Sequence, residues 1–378
     1  MKFSYWEKQT WFENLDLVVI GSGLVGLSTA YHYQIKHPKH KVLVLERGIL
    51  PYGASTRNAG FACFGSPSEI LDDLSHSPED EVFTRVEDRY RGFSDLLHLL
   101  GAERMGFEPL GGHEIFRDED QADWQSCEEQ LDYLNSALRS VFPKTPFCLA
   151  QSKMTTWGFA GIHSAIALPN EGQIDPGKTI FHLLRLCEEV GVLALTGIEV
   201  LQVDDHRNSV QLNTSCGFLT ARQLAICTNG FAQQLIGKEA VVPARAQVFI
   251  TEPIEKLPFK GVFHMHRGYY YFRNVGDRML LGGGRHLFRQ EEETDQMVTN
   301  ERIQCHLQHI ADVHLLPNIK WKVADQWSGI MGFGNGNNKG SLIKKLSDNV
   351  VCGVRLGGMG IAIGHEIGRK TANLLQNQ

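Results

Sequence analysis

A chain of 378 residues is too long for one ordinary hydrophobic core, so two domains are expected, and 42% hydrophobic residues suffice to bury them. The formal charge of −6, with 37 basic residues scattered rather than striped, argues against a nucleic-acid partner, which needs a basic face. Eight cysteines without a CxxC pair or zinc spacing, a polar start and no apolar run of membrane length point to a soluble protein of the cytoplasm with no transmembrane segment.

The first predicted element is a buried parallel strand over Leu17 to Ile20, running straight into Gly21-Ser22-Gly23-Leu24-Val25-Gly26 and a helix to about Tyr33. A second apolar strand, Val42 to Leu45, ends on Glu46, twenty residues after Gly26. Strand, glycine turn, helix and acid together make a dinucleotide-binding signature, whereas the glycines alone would be weak. Gly21 permits the tight turn, Gly23 lets backbone approach a pyrophosphate, and Gly26 lets helix and strand pack closely. The helix N-terminus presents unpaired N–H groups to phosphate, and Glu46 is placed to accept from ribose hydroxyls.

Next come Arg47-Gly48 and Ala54-Ser55-Thr56-Arg57-Asn58-Ala59-Gly60, small and hydrogen-bonding residues that suit a backbone lying close to an extended ligand. Residues 78–150 are charged and helical in period (Val82, Val86, Tyr90, Phe93, Leu96, Leu97), so helices outside the nucleotide fold are expected. Asp175-Pro176 caps and starts a further helix. Strands are predicted at 192–195 and 198–203, a hairpin at 210–220, and a buried strand at 224–226 that leads into Thr228-Asn229-Gly230. Alternating strands over 240–320 suit a mostly antiparallel sheet. Gly332 to Gly340 reads as a loop, and Gly357-Gly358-Met359-Gly360-Ile361 leads into a last helix.

Several of these stretches, in this order, resemble the D-amino-acid oxidase/glycine oxidase superfamily of FAD enzymes. They are Ala54 to Gly60, Gly172 to Pro176, Gly268 to Arg273 with Met279 to Arg285, and Gly357 to Gly364. The resemblance spans nearly the whole chain and is nearest in flavour to the glycine/sarcosine oxidase and gamma-glutamylputrescine oxidase branch. It implies an α/β plus α+β fold. A discontinuous Rossmann-like FAD-binding domain (1–77, 151–238 and 321–378) would interleave with a substrate domain (78–150 and 239–320). It also implies FAD held by the Gly21–Gly26 turn, Glu46, Arg47, Ser55 to Gly60, Val200, Thr228 to Gly230, Arg355 and Gly357 to Ile361. The implied reaction is oxidation of the C–N bond of an amine or amino acid by hydride transfer to flavin N5, the imine then hydrolysing. The electron acceptor is oxygen or another carrier.

Substrate anchoring departs from that family. Trp327-Ser-Gly-Ile-Met-Gly-Phe333 carries Met331 where the relatives place a carboxylate-binding arginine, and the cysteine that carries covalent flavin in sarcosine oxidases is also absent. Non-covalent FAD is therefore expected, with Cys63 read as a packed thiol. Arg57, Arg285 and Arg355 are the alternative anchors. Tyr269 and Tyr271 share one face of their strand and Tyr270 takes the other, one face being expected to look at the flavin. His163, His266 and His286 are possible bases, and no metal constellation stands out. A dehydrogenase of D-amino acids or hydroxy acids that passes electrons to a quinone or carrier remains open. So do an NAD-binding dehydrogenase and a catalytically inactive FAD protein.

Overall fold

Leu15–Ile20 is almost wholly buried, and the computed structural model, which describes residues 3–237, 239–335 and 340–375, sets it inside an eight-stranded sheet. Val42–Leu45 and Gly217–Ile226 pair with it on either side, both parallel. Leu193–Leu195 and Val350–Val354 extend the parallel run outward, and Leu342–Lys345 closes one edge antiparallel. Strands buried on both faces read as continuous apolar runs, which is why these were visible in the sequence. Val200–His206 and Ser209–Thr214 add an antiparallel hairpin to Gly217–Ile226. Helices Leu24–Lys36 and Gly360–Leu374 pack together so closely that a Cβ on Gly368 would sit 2.4 Å from Ser28 Cβ.

A second eight-stranded sheet runs in the order Val323–Phe333, Val242–Thr251, Arg278–Gly283, Tyr270–Val275, Val262–Met265, Gly112–Arg117, Ile162–Leu168, Cys148–Leu149. It is antiparallel except where Val262–Met265 meets Gly112–Arg117. Alternation sorts its two faces. Phe249, Phe263 and Phe272 turn into a core beneath helix Glu301–Ile310, with Phe263 and Phe272 stacked at 4.7 Å. Ala244, Ala246, Val248 and Tyr271 turn the other way, into a cleft.

Three assignments change. Ile162–Leu168 and Val323–Phe333, placed by the sequence boundaries in the nucleotide domain, pair instead in the second sheet. Gly112–Arg117 and Val242–Thr251 offer them antiparallel partners. Helix Glu79–Leu100, expected outside the nucleotide fold, lies along Gly360–Leu374 and shares its core through Val82, Val86, Phe93 and Leu96. Helical periodicity reveals a buried face but not what covers it. Of the loop at 332–340, residues 336–339 lie outside the described residues. Among the described residues no helix is long and apolar enough to cross a membrane.

Between the two packed helices, His365 Nδ1 lies 3.0 Å from Ser28 Oγ and its Nε2 3.2 Å from His32 Nε2. Burial, with each cation disfavouring others nearby, pushes His32 down to about 4, and burial pushes His365 to about 4 as well. Both are neutral when folded and titrate at ordinary values, about 6.5, when unfolded. The unfolded chain therefore binds more protons in that window, and stability is lost as pH falls from about 6.5 to about 4. Denaturant midpoints measured at about pH 7 and about pH 5 should show the loss, and His32→Gln should flatten it.

Candidate active site

A cleft of about 950 Å³ opens between the two sheets. At one end lies the glycine turn. Gly21 has φ +100°, and a Cβ on Gly26 would fall 1.8 Å from Gly21 O. Helix Leu24–Lys36 begins without a side-chain cap from Gly23, and Leu24 N–H donates to Ser55 Oγ at 2.9 Å. Glu46 is buried. Its Oε2 accepts from Ser22 N–H (3.1 Å) and Ser22 O–H (2.9 Å), and its Oε1 from Gly48 N–H (2.9 Å). These bonds fix the carboxylate at the cleft wall, which Gly21, Gly23, Leu24, Val25, Glu46, Arg47 and Val200 line. Ser22 and Gly26 stand behind them. Arg47 lies flat over the Phe231 ring at 3.9 Å. For a nucleotide ribose seated against this carboxylate, Glu46→Ala should weaken binding about tenfold to hundredfold, since it removes a charged acceptor. Ligand titration of the stripped protein measures this.

The Ala54–Gly60 segment forms the next stretch of wall. Asn58 braces it, donating to Ala54 O and Ser55 O (2.9 Å each) and accepting from Gly60 N–H (2.8 Å). Ser55, Arg57, Asn58, Ala59 and Gly60 line the cleft, whereas Thr56 turns back to donate to Pro51 O at 2.7 Å. Arg57 is engaged as well. Its Nε donates to Ser328 O, its carbonyl accepts from Trp327 Nε1 at 3.0 Å, and its guanidinium stacks on Tyr52 at 4.7 Å. Arg57 thus ties this segment to the second sheet.

Opposite lies a strained turn. Asn229 (φ 46°) and Arg355 (φ 68°) both adopt the left-handed conformation, which costs about 1–2 kcal/mol for a residue with a Cβ. They hold each other there: Asn229 Oδ1 accepts from the backbone N–H of Arg355 (3.1 Å) and Leu356 (3.4 Å). Gly357 (φ 56°) continues the turn and donates to Gly332 O at 3.0 Å. The result aims the uncapped N-terminus of Gly360–Leu374 at the cleft, which Thr228, Asn229, Arg355 and Gly357 to Ile361 line. Gly230 does not line it; its missing Cβ makes room for Met331 O, which would be 2.5 Å away.

At the remaining end stand Tyr269 and Tyr271, while Tyr270 turns away and places its hydroxyl 2.8 Å from His306 Nε2. Burial pushes the Tyr271 phenol up to about 12, so it stays a neutral hydroxyl. Arg285 lines the cleft beside them, its guanidinium 4.7 Å over the Phe333 ring. Burial lowers its pKa, and neighbouring Arg289 adds to the effect. Glu293 and the two tyrosines offset part of that shift, but among the described residues none makes a hydrogen bond or close ion pair with it. Met331 also faces the cleft.

Of the three histidines singled out, only His286 reaches the cleft. His163 lies 2.8 Å from Ser164 Oγ, and His266 pairs with Asp120 at 3.1 Å. His286 packs 4.4 Å from the Tyr269 ring and is pushed down to about 4, by burial and then by His266. Asp120, Asp123 and His266 bring ligand atoms within 4.8 Å of one another, but Arg117 holds Asp120 (2.9 Å) and Arg267 holds Asp123 (2.7 Å). Cys63 is buried with Sγ 3.5 Å from Met359 Sδ, and burial raises its pKa well above the ordinary range. Sequence reasoning missed one pair: His264, which lines the cleft, and Glu171 behind it, which meet at 2.8 Å. The available signal was a lone histidine inside the apolar strand Val262–Met265.

Residues 16–374 match the family model described as FAD dependent oxidoreductase, DAO. The chain belongs to that family. It is therefore an FAD-dependent enzyme. Probable oxidoreductase OrdL of Rhizobium meliloti (strain 1021) is 24% identical over 333 residues, 84% of this chain and 73% of its own length. The mitochondrial dimethylglycine dehydrogenase of Rattus norvegicus is 24% identical over 285 residues, 72% of this chain but only 31% of that longer protein. The solved structure of glycine oxidase from Geobacillus kaustophilus shares the fold, with TM-score 0.75 at 18% identity, covering 95% of this chain and 94% of that one.

Proposed function

We propose that the enzyme oxidises the C–N bond of a carboxylate-bearing amine or amino acid, with Arg285 as the carboxylate anchor and FAD held non-covalently. The observation that carries this reading is Arg285 itself, a cation in the cleft wall with no acceptor among the described residues. Burying a guanidinium without a partner is costly, and a ligand carboxylate offsets that cost through a bidentate pair. The names of the relatives, dimethylglycine dehydrogenase and glycine oxidase, point to the same substrate class.

The residues present fit FAD. Gly21 and Gly23 leave room where a Cβ would meet Cys227 O or Ser55 Oγ at 2.9 Å, Glu46 is fixed for ribose, and the N-termini of two helices face the cleft. The volume also lies at the upper end of ordinary ligand sites. When bound, FAD supplies the acceptor for the hydride leaving the substrate carbon. The protein's own share is positioning and electrostatics. Arg285 orients the carboxylate, Tyr269 and Tyr271 flank it, and Ala244, Ala246, Val248 and Met331 form an apolar wall that excludes water. The N–H groups at the start of Gly360–Leu374 stabilise negative charge on the ring. Cys63, a buried protonated thiol, supports the non-covalent reading, and eight free cysteines support a reducing compartment such as the cytoplasm.

Acid precipitation tests the attachment: all of the yellow colour should pass to the supernatant, and colour kept in the pellet would contradict it. Titration of the loaded enzyme with acetate or benzoate should perturb the flavin spectrum saturably, and an unchanged spectrum would count against the anchor.

A further inference from the structure

The cleft wall holds a second charged group that the reading above leaves unused. His264 stands directly across from Tyr271 in the antiparallel ladder, so both side chains share the face that lines the cleft. Its Nε2 lies 2.8 Å from Glu171 Oε2, and the two side chains are only 4% and 3% exposed. Glu171 is fixed in turn, its Oε1 accepting from Phe64 N–H at 3.2 Å. The Phe61 ring meets both His264 (5.5 Å) and Tyr271 (5.7 Å) edge-on, immediately after the segment that ends at Gly60. One ring nitrogen is thereby fully specified. The other, Nδ1, has no partner among the described residues.

Stability does not explain such a pair. Replacing a buried ion pair by packed apolar groups is often neutral or stabilising, so its presence in a ligand cleft needs another reason. A carboxylate on one imidazole nitrogen sets the orientation of the ring and leaves the opposite nitrogen for a ligand. We propose that His264 touches the bound ligand as a charged hydrogen-bond donor, with Glu171 as its positioning residue. Nε2–H donates to Glu171, and Nδ1–H donates to an electron-rich acceptor. That acceptor is the substrate carboxylate or the rim of the isoalloxazine. The inference rests on the cofactor site proposed above and is independent of Arg285.

The surroundings keep the ring charged. Burial alone would lower its pKa, but Glu171, then Glu69 and Glu114, outweigh burial and carry it to about 9. Of the other groups lining this part of the cleft, Tyr271 is held at about 12 and Cys63 well above its ordinary value, so neither titrates in the same range.

The test uses the FAD-loaded full chain with His264→Asn and Glu171→Gln. Two quantities are measured without turnover: the midpoint potential of the flavin, and the Kd for acetate and benzoate by spectral perturbation. If the ring is the acceptor, His264→Asn shifts the reduction equilibrium at least about tenfold against reduction, about 30 mV for a two-electron couple. If the substrate carboxylate is the acceptor, the potential holds and both Kd values rise at least about tenfold. In the unmodified enzyme the pH dependence of the same quantity should show a break at about 9. Glu171→Gln should move that break towards the ordinary imidazole value of about 6.5, which a purely structural role would not do. An Asn variant that keeps its FAD but moves neither quantity overturns the proposal. If it does not load, a titration of the unmodified enzyme with no break across about pH 8–10 overturns it instead. An effect of Arg285→Met without one of His264→Asn would leave the anchor standing and remove His264.

Discussion

Replacing Arg285 by methionine should raise the KM for a carboxylate-bearing amine roughly hundredfold while FAD stays bound and the fold stays intact. The substitution keeps an unbranched apolar stem of similar reach while the guanidinium, with its charge and its contact 4.7 Å over the Phe333 ring, is lost. Truncating one member of a desolvated charge pair costs about 2–5 kcal/mol, and each 1.4 kcal/mol is about a factor of ten. Arg57 and Arg355 should behave differently. Arg57 is bonded to Ser328 O and stacked on Tyr52, so its loss loosens the Ala54–Gly60 wall and weakens FAD rather than substrate. Arg355 sits in the strained turn that aims the last helix at the cleft, and its replacement should act on the flavin in the same way. Steady-state kinetics of the three methionine variants, with FAD saturating, separate these roles. A KM within about threefold of the parent for Arg285→Met would remove the anchor.

The second large effect is expected at Gly26. An alanine there places Cβ 1.8 Å from Gly21 O, a backbone atom that cannot swing away. Helix Leu24–Lys36 must then lift off the strand it follows, opening the Gly21–Gly26 turn. Overpacking of this kind usually costs about 1–3 kcal/mol and here, against backbone, more than about 3 kcal/mol. The protein should be purified colourless or in aggregates, with a denaturant midpoint well below that of the parent. A yellow, normally stable Gly26→Ala would show that the helix has room to move.

Why the nucleotide end was legible and the substrate end was not follows from the range over which each signal acts. Gly21, Gly23, Gly26 and Glu46 lie within one βαβ unit, so spacing along the chain already encodes their positions in space. The tyrosine alternation is similarly local, and Tyr269 and Tyr271 share the cleft as their period requires. The His264–Glu171 pair joins residues 93 apart across two elements, and no period connects them. From sequence Arg57 is equally an anchor or a structural arginine, because the partner that decides, Ser328 O, is backbone 271 residues away. Arg285 is not singled out from Arg57 and Arg355 for the same reason: what distinguishes it is that no described residue offers it a hydrogen-bond acceptor, a property of its surroundings. The strands Ile162–Leu168 and Val323–Phe333 show the limit for the fold, since an apolar strand does not say which sheet it joins.

The most direct measurement is anaerobic mixing of the FAD-loaded enzyme with a panel of N-methyl amino acids, other amino acids, simple amines and hydroxy acids, followed by absorption. The account predicts bleaching of the oxidised flavin by a carboxylate-bearing amine, at concentrations that rise roughly hundredfold in Arg285→Met. Readmitting air then separates an oxidase from an enzyme that needs another acceptor. Reduction by hydroxy acids alone, or by none of the panel, would contradict the assignment of a C–N bond as the reacting group.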